Sequence, residues 1–261
     1  MKAKKGIVVG LCCAATIISA QNTLTLGIFG FSKVDKPAGT LNLAGNNFGD
    51  SASTLNEVCP VEQFNGAVNF SQADRVIVWN SSTQAYETYA LYDDSANNGT
   101  TLEWRDADDF SGSAVNPFIP AGSGFWIQSM GTTVGTNLVI SGDTVDAEAT
   151  TNQIVAGLQL ISYPFSTTID LNATQLKDNA SGATSSSQAD QVFTWNVAAQ
   201  TFITYALYDD SAYGGTTLEW RDANNFNTSA GAIPLTLGRG FWLYAQNTFT
   251  WAETNQYYGN L

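Results

Sequence analysis

A block of twenty residues occurs twice in this chain of 261. Residues 88–107 read TYALYDDSANNGTTLEWRDA and residues 204–223 read TYALYDDSAYGGTTLEWRDA, differing only at Asn97/Tyr213 and Asn98/Gly214. The offset of 116 holds beyond the block. Ser71-Gln72-Ala73-Asp74 returns as Ser187-Gln188-Ala189-Asp190, and Trp79-Asn80 as Trp195-Asn196. Gly122-Ser123-Gly124-Phe125-Trp126 returns as Gly238-Arg239-Gly240-Phe241-Trp242. Such a period is too long for a solenoid unit and fits a whole small domain. Duplication of one segment accounts for it. A recent duplication leaves near-identity whether or not the block holds a site.

Within each copy the pattern is that of short strands. Residues 75–79 and 191–195 are β-branched and aromatic, and turn-like connections lead to return arms at 86–92 and 202–208. Residues 100–105 and 216–221 alternate, with Leu102 and Trp104 on one face and Glu103 and Arg105 on the other. Residues 39–48 and 157–165 read as the first core strand of each copy, and 248–251 as a closing strand. One or two helical turns are expected at 170–176, capped by Asp170, and at 53–58, capped by Ser53. Residues 23–31 alternate Leu24, Leu26 and Ile28 with Thr and Gly, and residues 137–140 are expected to lead the second copy in the same way. The fold expected is all-β: two tandem β-sandwich domains, jelly-roll or Ig-like, related by internal duplication. The expected division is 1–20 as a signal peptide, 21–146 as the first domain and 147–261 as the second.

The first twenty residues have the form of an export signal. Lys2, Lys4 and Lys5 precede an apolar run at 6–18, and Ser19-Ala20 supplies small residues before a cut at Gln21. The apolar run is short for a transmembrane helix. Cys12 and Cys13 lie inside it without a lipobox. Loss of the three lysines leaves seven basic residues against 23 acidic ones, a net charge of −16. That charge repels nucleic acid and anionic lipid, so neither partner is expected. Cys59 is then a lone thiol without a counterpart in the second copy, and burial as a small apolar side chain is expected.

The chain has no histidine. The commonest general base and zinc ligand and the Ser-His and Cys-His nucleophile systems are therefore missing. No CxxC pair and no phosphate-binding glycine pattern is present. Paired carboxylates remain, Asp93, Asp94, Glu103 and Asp106 among them, but a catalytic centre is rarely duplicated intact, and no enzyme is expected. The acidic turns have two readings. Asp93, Asp94 and Asp106, with Asp209, Asp210 and Asp222 in the second copy, offer the hard oxygens that calcium takes. The same residues also serve as Asx-turn acceptors, with Arg105 paired to Asp94 or Asp106. No cofactor other than that calcium is expected.

Three tryptophans recur between the copies: Trp79, Trp104 and Trp126 return as Trp195, Trp220 and Trp242. At strand positions, such rings usually fill a core, the reading adopted for Trp79/Trp195 and Trp126/Trp242. Trp104 and Trp220, beside the acidic turns, are the candidate platforms for a sugar ring.

The order Gly-Leu-Gln-Leu-Ile-Ser-Tyr-Pro-Phe at 157–165, Ala-Asp-Gln-Val-Phe-Thr-Trp-Asn at 189–196 and Gly-Arg-Gly-Phe-Trp-Leu at 238–243 resembles tandem β domains of exported bacterial surface and matrix proteins. The first copy departs from it, with Gly45-Asn46-Asn47-Phe48 in place of Ser-Tyr-Pro-Phe. The resemblance implies a secreted or surface-bound bacterial protein and no catalytic residues.

The function expected is structural: a subunit of an extracellular fibre, sheath or surface layer, whose main partner is itself. Leu24, Leu26, Ile28, Phe29 and Phe31 form the candidate assembly strand, offered to a neighbour's sheet edge. The alternative is a secreted carbohydrate-binding or adhesin module.

Overall fold

A computed structural model describes residues 29–49, 53–131, 136–145 and 147–256. The protein is all-β, and its helical content is confined to single turns. The first copy supplies β1 (Phe29–Asp35), β2 (Leu41–Gly45), β3 (Arg75–Asn80), β4 (Ala85–Asp93), β5 (Leu102–Asp106), β6 (Gly124–Gln128) and β7 (Asn137–Asp143). The second supplies β8 (Ala149–Ile154), β9 (Gly157–Ser162), β10 (Ile169–Asp170), β11 (Gln191–Asn196), β12 (Thr201–Asp209), β13 (Leu218–Asp222), β14 (Pro234–Leu235), β15 (Gly240–Ala245) and β16 (Phe249–Thr254).

Two five-stranded antiparallel sheets carry the architecture. Their orders are β2-β6-β3-β4-β5 and β9-β15-β11-β12-β13, the same topology twice. Two ribbons, β1-β7 and β8-β16, complete the frame, with a minor pair β10-β14. The β7 segment therefore does not lead the second copy, as 137–140 were expected to do. It turns back to pair with β1 from Asp35↔Asn137 to Phe29↔Asp143. The strand that leads the second copy is β8.

Period-2 alternation sends each central strand's side chains to two different layers. Val76, Phe125 and Ile127 face one way and pack with Val34, Leu138 and Ile140 of the β1-β7 ribbon, around Trp104, Leu55 and Phe64. The second copy repeats this with Val192, Phe241 and Leu243 around Trp220 and Trp251. The opposite faces carry Leu43, Trp126 and Ile77 in one sheet and Leu160, Trp242 and Phe193 in the other, and these form one shared layer. The order of layers is thus ribbon, sheet, sheet, ribbon. Both faces of the central strands are apolar because both are covered.

The short helical turns differ from expectation in detail. The first-copy helix α1 (Leu55–Val58) is capped by Thr54, not Ser53, in a capping box with Glu57, which also accepts from the Thr54 amide at 2.7 Å. Asp170 does cap its turn, accepting from the Asn172 amide at 2.8 Å, but the turn is 3-10 and stops at Ala173.

Candidate functional site

The repeated block builds a loop held by its own carboxylates. Asp93 accepts from the Ser95 amide at 2.8 Å and Asp94 from the Thr101 amide at 2.8 Å. Asp209 and Asp210 do the same for Ser211 and Thr217, at 2.8 and 2.9 Å. Asp106 and Asp222 close the next turns through the Asp108 and Asn224 amides, each at 2.8 Å. These are Asx-type turns, in which a short acidic side chain replaces a backbone acceptor. Gly99 and Gly215 are required beside them, since a Cβ at either would lie 2.0 Å from the Asp94 or Asp210 carboxylate. Asn98 and Gly214 occupy the left-handed conformation that ends the turn, which explains why this variable position accepts Asn or Gly. The six carboxylates point at amides of their own loops, and among the described residues no acidic or sulfur groups converge as a metal cluster.

Arg105 does not pair with Asp94 or Asp106. Its guanidinium meets Glu103 at 2.8 Å, donates to the Phe110 carbonyl and stacks on Tyr92 at 3.5 Å. Arg221 repeats all three contacts with Glu219, Phe226 and Tyr208. The alternation that put Glu103 and Arg105 on one face already placed them as neighbours.

Trp104 and Trp220 are core residues, exposed by only 1% and 0%. Neither ring offers a face to a ligand, which corrects their assignment as sugar platforms. They sit on the ribbon-facing side of the sheet, where Trp104 stacks edge-on against Phe64 at 5.0 Å. The Trp104 indole donates to the Cys59 carbonyl at 3.0 Å, whereas the Trp220 indole N–H has no partner among the described residues. Cys59 itself is buried, and burial raises its thiol pKa.

The Gly-x-Gly-Phe-Trp motif and Trp79/Trp195 meet between the two copies. Trp79 packs edge-on against Trp242 and Trp126 against Trp195, each at 5.0 Å. The Trp79 indole donates to the Leu158 carbonyl and the Trp195 indole to the Leu41 carbonyl, both at 2.9 Å. Gln84 and Gln200 add a second donor to the same two carbonyls at 3.2 Å. Backbone bonds follow the same reciprocity: the Gly45 amide donates to the Gly238 carbonyl at 2.8 Å, and the Ser162 amide to the Gly122 carbonyl at 2.7 Å. Each of these contacts appears twice with the copies exchanged, as in a self-complementary interface, while Asn47 and Arg239 add one-sided bonds to Tyr163 and Asn42.

A third repeated signal, Ser-Gln-Ala-Asp, ends in a buried acid. Asp74 receives the Met130 amide at 2.6 Å, the Asn65 amide at 3.0 Å and the Lys36 ammonium at 3.2 Å. Asp190 keeps the equivalent amides, from Gln246 at 2.7 Å and Ser181 at 2.9 Å. Burial raises the Asp190 pKa against those two donors. Glu253, which the sequence pattern did not single out, is a further buried acid. It accepts from the Trp251 indole at 2.8 Å, the Gln175 amide at 2.9 Å and the Tyr163 hydroxyl at 3.3 Å.

Of the candidate assembly residues, Leu24, Leu26 and Ile28 lie outside the described residues. Phe29 and Phe31 stand on the outer face of β1, 68% and 69% exposed. Alternation explains this: Ser32 and Val34 turn inward, so Phe29, Phe31 and Lys33 turn out. The hydrogen-bond pattern adds an edge that sequence reasoning did not reach. The Lys36 amide bonds Thr136, and the register runs on from Asp35↔Asn137. Even-numbered β1 residues therefore bond β7, and Phe29, Phe31 and Lys33 aim their amides and carbonyls away from it. Among the described residues none of these groups meets a partner.

One surface cavity lies beside the Arg105–Tyr92 stack. It holds about 530 Å³ and is lined by Phe70, Tyr92, Phe110 and Arg105. Arg75 stacks on Phe70 at 3.8 Å, and Phe110 packs against both Phe70 and Tyr92. Ser186 stands where the second copy would need Phe70, which removes one wall there. Among the described residues no helix is long and apolar enough to cross a membrane. Comparison with protein-family models, with curated proteins and with solved structures finds no match.

Proposed function

We propose that this chain is an exported structural protein, made of two β-sandwich domains that arose by internal duplication, and that it self-assembles outside the cell into a fibre, sheath or layer. The duplication is supported by the shared strand order and by the reciprocal contacts between copies. Export is supported by the basic, apolar and small-residue succession in the first twenty residues. The observation that carries the assembly reading is the β1 edge: backbone groups of Phe29, Phe31 and Lys33 that meet no partner among the described residues, with both phenylalanine side chains exposed. Monomeric proteins blunt such edges, because an open strand recruits another chain. Electron microscopy and sedimentation of the purified protein test this reading against a Phe29→Ser, Phe31→Ser double variant. Concentration-dependent growth that the variant loses supports it, and a wild type that stays monomeric at high concentration removes it.

A secreted glycan-binding or adhesin module is the second reading, favoured by the Phe70-Tyr92-Phe110 cavity with its stacked arginines. Aromatic walls and guanidinium groups are the surfaces on which sugars and their acids rest. Glycan-array binding lost on Phe110→Ala would favour this reading, and an array without signal would end it.

A further inference from the structure

The β8 strand holds the second open edge. The Asn255 amide donates to the Glu148 carbonyl, and the register runs Thr254↔Ala149 to Phe249↔Ile154. Thr150, Asn152 and Ile154 therefore bond β16, while Ala149, Thr151 and Gln153 aim their backbone groups outward. All three are exposed, and their backbone groups have no partner among the described residues.

The outer edges of the two five-stranded sheets and of β7 and β16 each receive at least one bond from outside their sheet. Gln63 caps β7 by accepting from the Val139 amide at 2.7 Å and donating to its carbonyl at 3.0 Å. Asn172 caps β13 in the same two-way manner at Trp220, at 2.6 and 3.1 Å. Gln175 accepts from the Thr254 amide of β16 at 2.7 Å. The Val115 amide donates to the Trp104 carbonyl on β5. At the edges of β2 and β9, the opposite copy's tryptophan and glutamine donate to the Leu41 and Leu158 carbonyls. Side-chain amides placed on strand edges are a recurrent device here; on β1 the Asn42 amide meets only the Asp35 carbonyl at the strand's end, and among the described residues none reaches the backbone of Phe29, Phe31 or Lys33 or the outward groups of β8.

We propose that the β1 edge of one molecule adds to the β8 edge of the next, so that copies of this chain join head to tail through one repeated strand pairing. The inference rests on the assembly reading above and names its partner surface. The two edges suit each other. Each offers outward groups from three alternate residues, Phe29, Phe31 and Lys33 against Ala149, Thr151 and Gln153. The β1 side is bulky and apolar, whereas the β8 side is small and polar, so Phe31 gains cover from a neighbour without a facing aromatic. Pairing of β1 with a second β1 would close a dimer and leave every β8 edge open. Pairing of β1 with β8 satisfies both edges, and a heterologous contact of this kind is open-ended unless its rotation closes a ring.

Proline tests the pairing directly. At an outward-facing edge position it removes a donor from the new contact and none from the existing ladder. Full-length Phe31→Pro and Thr151→Pro are each expected to stay monomeric in sedimentation where the wild type grows. Their equimolar mixture is expected to give a particle of twice the monomer mass, because each variant supplies the edge that the other lacks. A wild type that assembles while Thr151→Pro assembles equally well overturns the β8 partner but leaves self-assembly standing. A mixture that stays monomeric overturns it too. A wild type that never assembles overturns both this inference and the reading on which it rests. If circular dichroism shows that a proline variant has lost its sheet signal, Lys33→Pro and Gln153→Pro repeat the test at neighbouring outward positions.

Discussion

Replacing Gly240 by alanine probes the tightest backbone-to-backbone approach of the two sheets among the described glycines. A Cβ there would stand 2.4 Å from the Ala44 carbonyl oxygen and 3.1 Å from the Gly124 Cα, backbone atoms of the opposite sheet. No side chain can rotate aside, so the two sheets must part by about half an ångström. A gap of that order forfeits roughly a quarter of each dispersion contact across it, and the aromatic layer of Trp79, Trp126, Trp195 and Trp242 spans that gap. Overpacking of this sort costs about 1–3 kcal/mol. Gly240 does not hold a left-handed conformation, so alanine returns about 0.5–1 kcal/mol through its smaller unfolded-state entropy. The net loss expected is about 1–2 kcal/mol, a fall in Tm of about 2–8 °C for a chain of this size. Urea unfolding followed by tryptophan emission measures it, since four of the seven indoles lie in the affected layer. Gly124→Ala, 2.8 Å from the Ile161 carbonyl, is expected to lose less. A Gly240→Ala protein as stable as wild type would refute the account of two sheets meeting backbone to backbone.

Two further outcomes follow from the buried polar groups. Trp104→Phe breaks the indole bond to the Cys59 carbonyl, whereas Trp220→Phe breaks none among the described residues, so the first is expected to cost about 1 kcal/mol more than the second in urea midpoints. Equal losses would show that the bond contributes nothing. Burial holds the Glu253 carboxyl above its ordinary range, although the Trp251 indole, the Gln175 amide and the Tyr163 hydroxyl pull it down and the Asp178 charge adds to the rise. The folded state thus binds this proton more tightly than the unfolded chain does. Its contribution is greatest below the unfolded value and is lost as pH rises through the folded one. Glu253→Gln is expected to flatten the decline in stability above about pH 4.5, the ordinary carboxylate range. Parallel wild-type and variant curves would contradict it.

Much of the local structure was legible before any tertiary contact was known. Alternation placed Leu102 with Trp104 and Glu103 with Arg105, and turn chemistry made Asp93, Asp94, Asp209 and Asp210 acceptors for their own loops. These are short-range effects, decided within a few residues by sterics and by the reach of a short side chain. The candidate ligand platforms were misread for the complementary reason. Proximity of Trp104 to an acidic turn in sequence says nothing of which sheet face it occupies once the ribbon and α1 cover that face.

What the sequence determined alone was the repeat, the strand content and the absence of histidine chemistry. Each is a property of neighbours along the chain or of composition. Only the tertiary structure decided that Trp79 meets Trp242, that the two copies share one aromatic layer, and that β7 returns to β1 instead of leading the second copy. It also decided which edges stay open, because Gln63 reaches Val139 across 76 residues and Asn172 reaches Trp220 across 48. Alternation gives a strand two faces, but what covers a face or closes an edge comes from distant chain, and no local pattern encodes it.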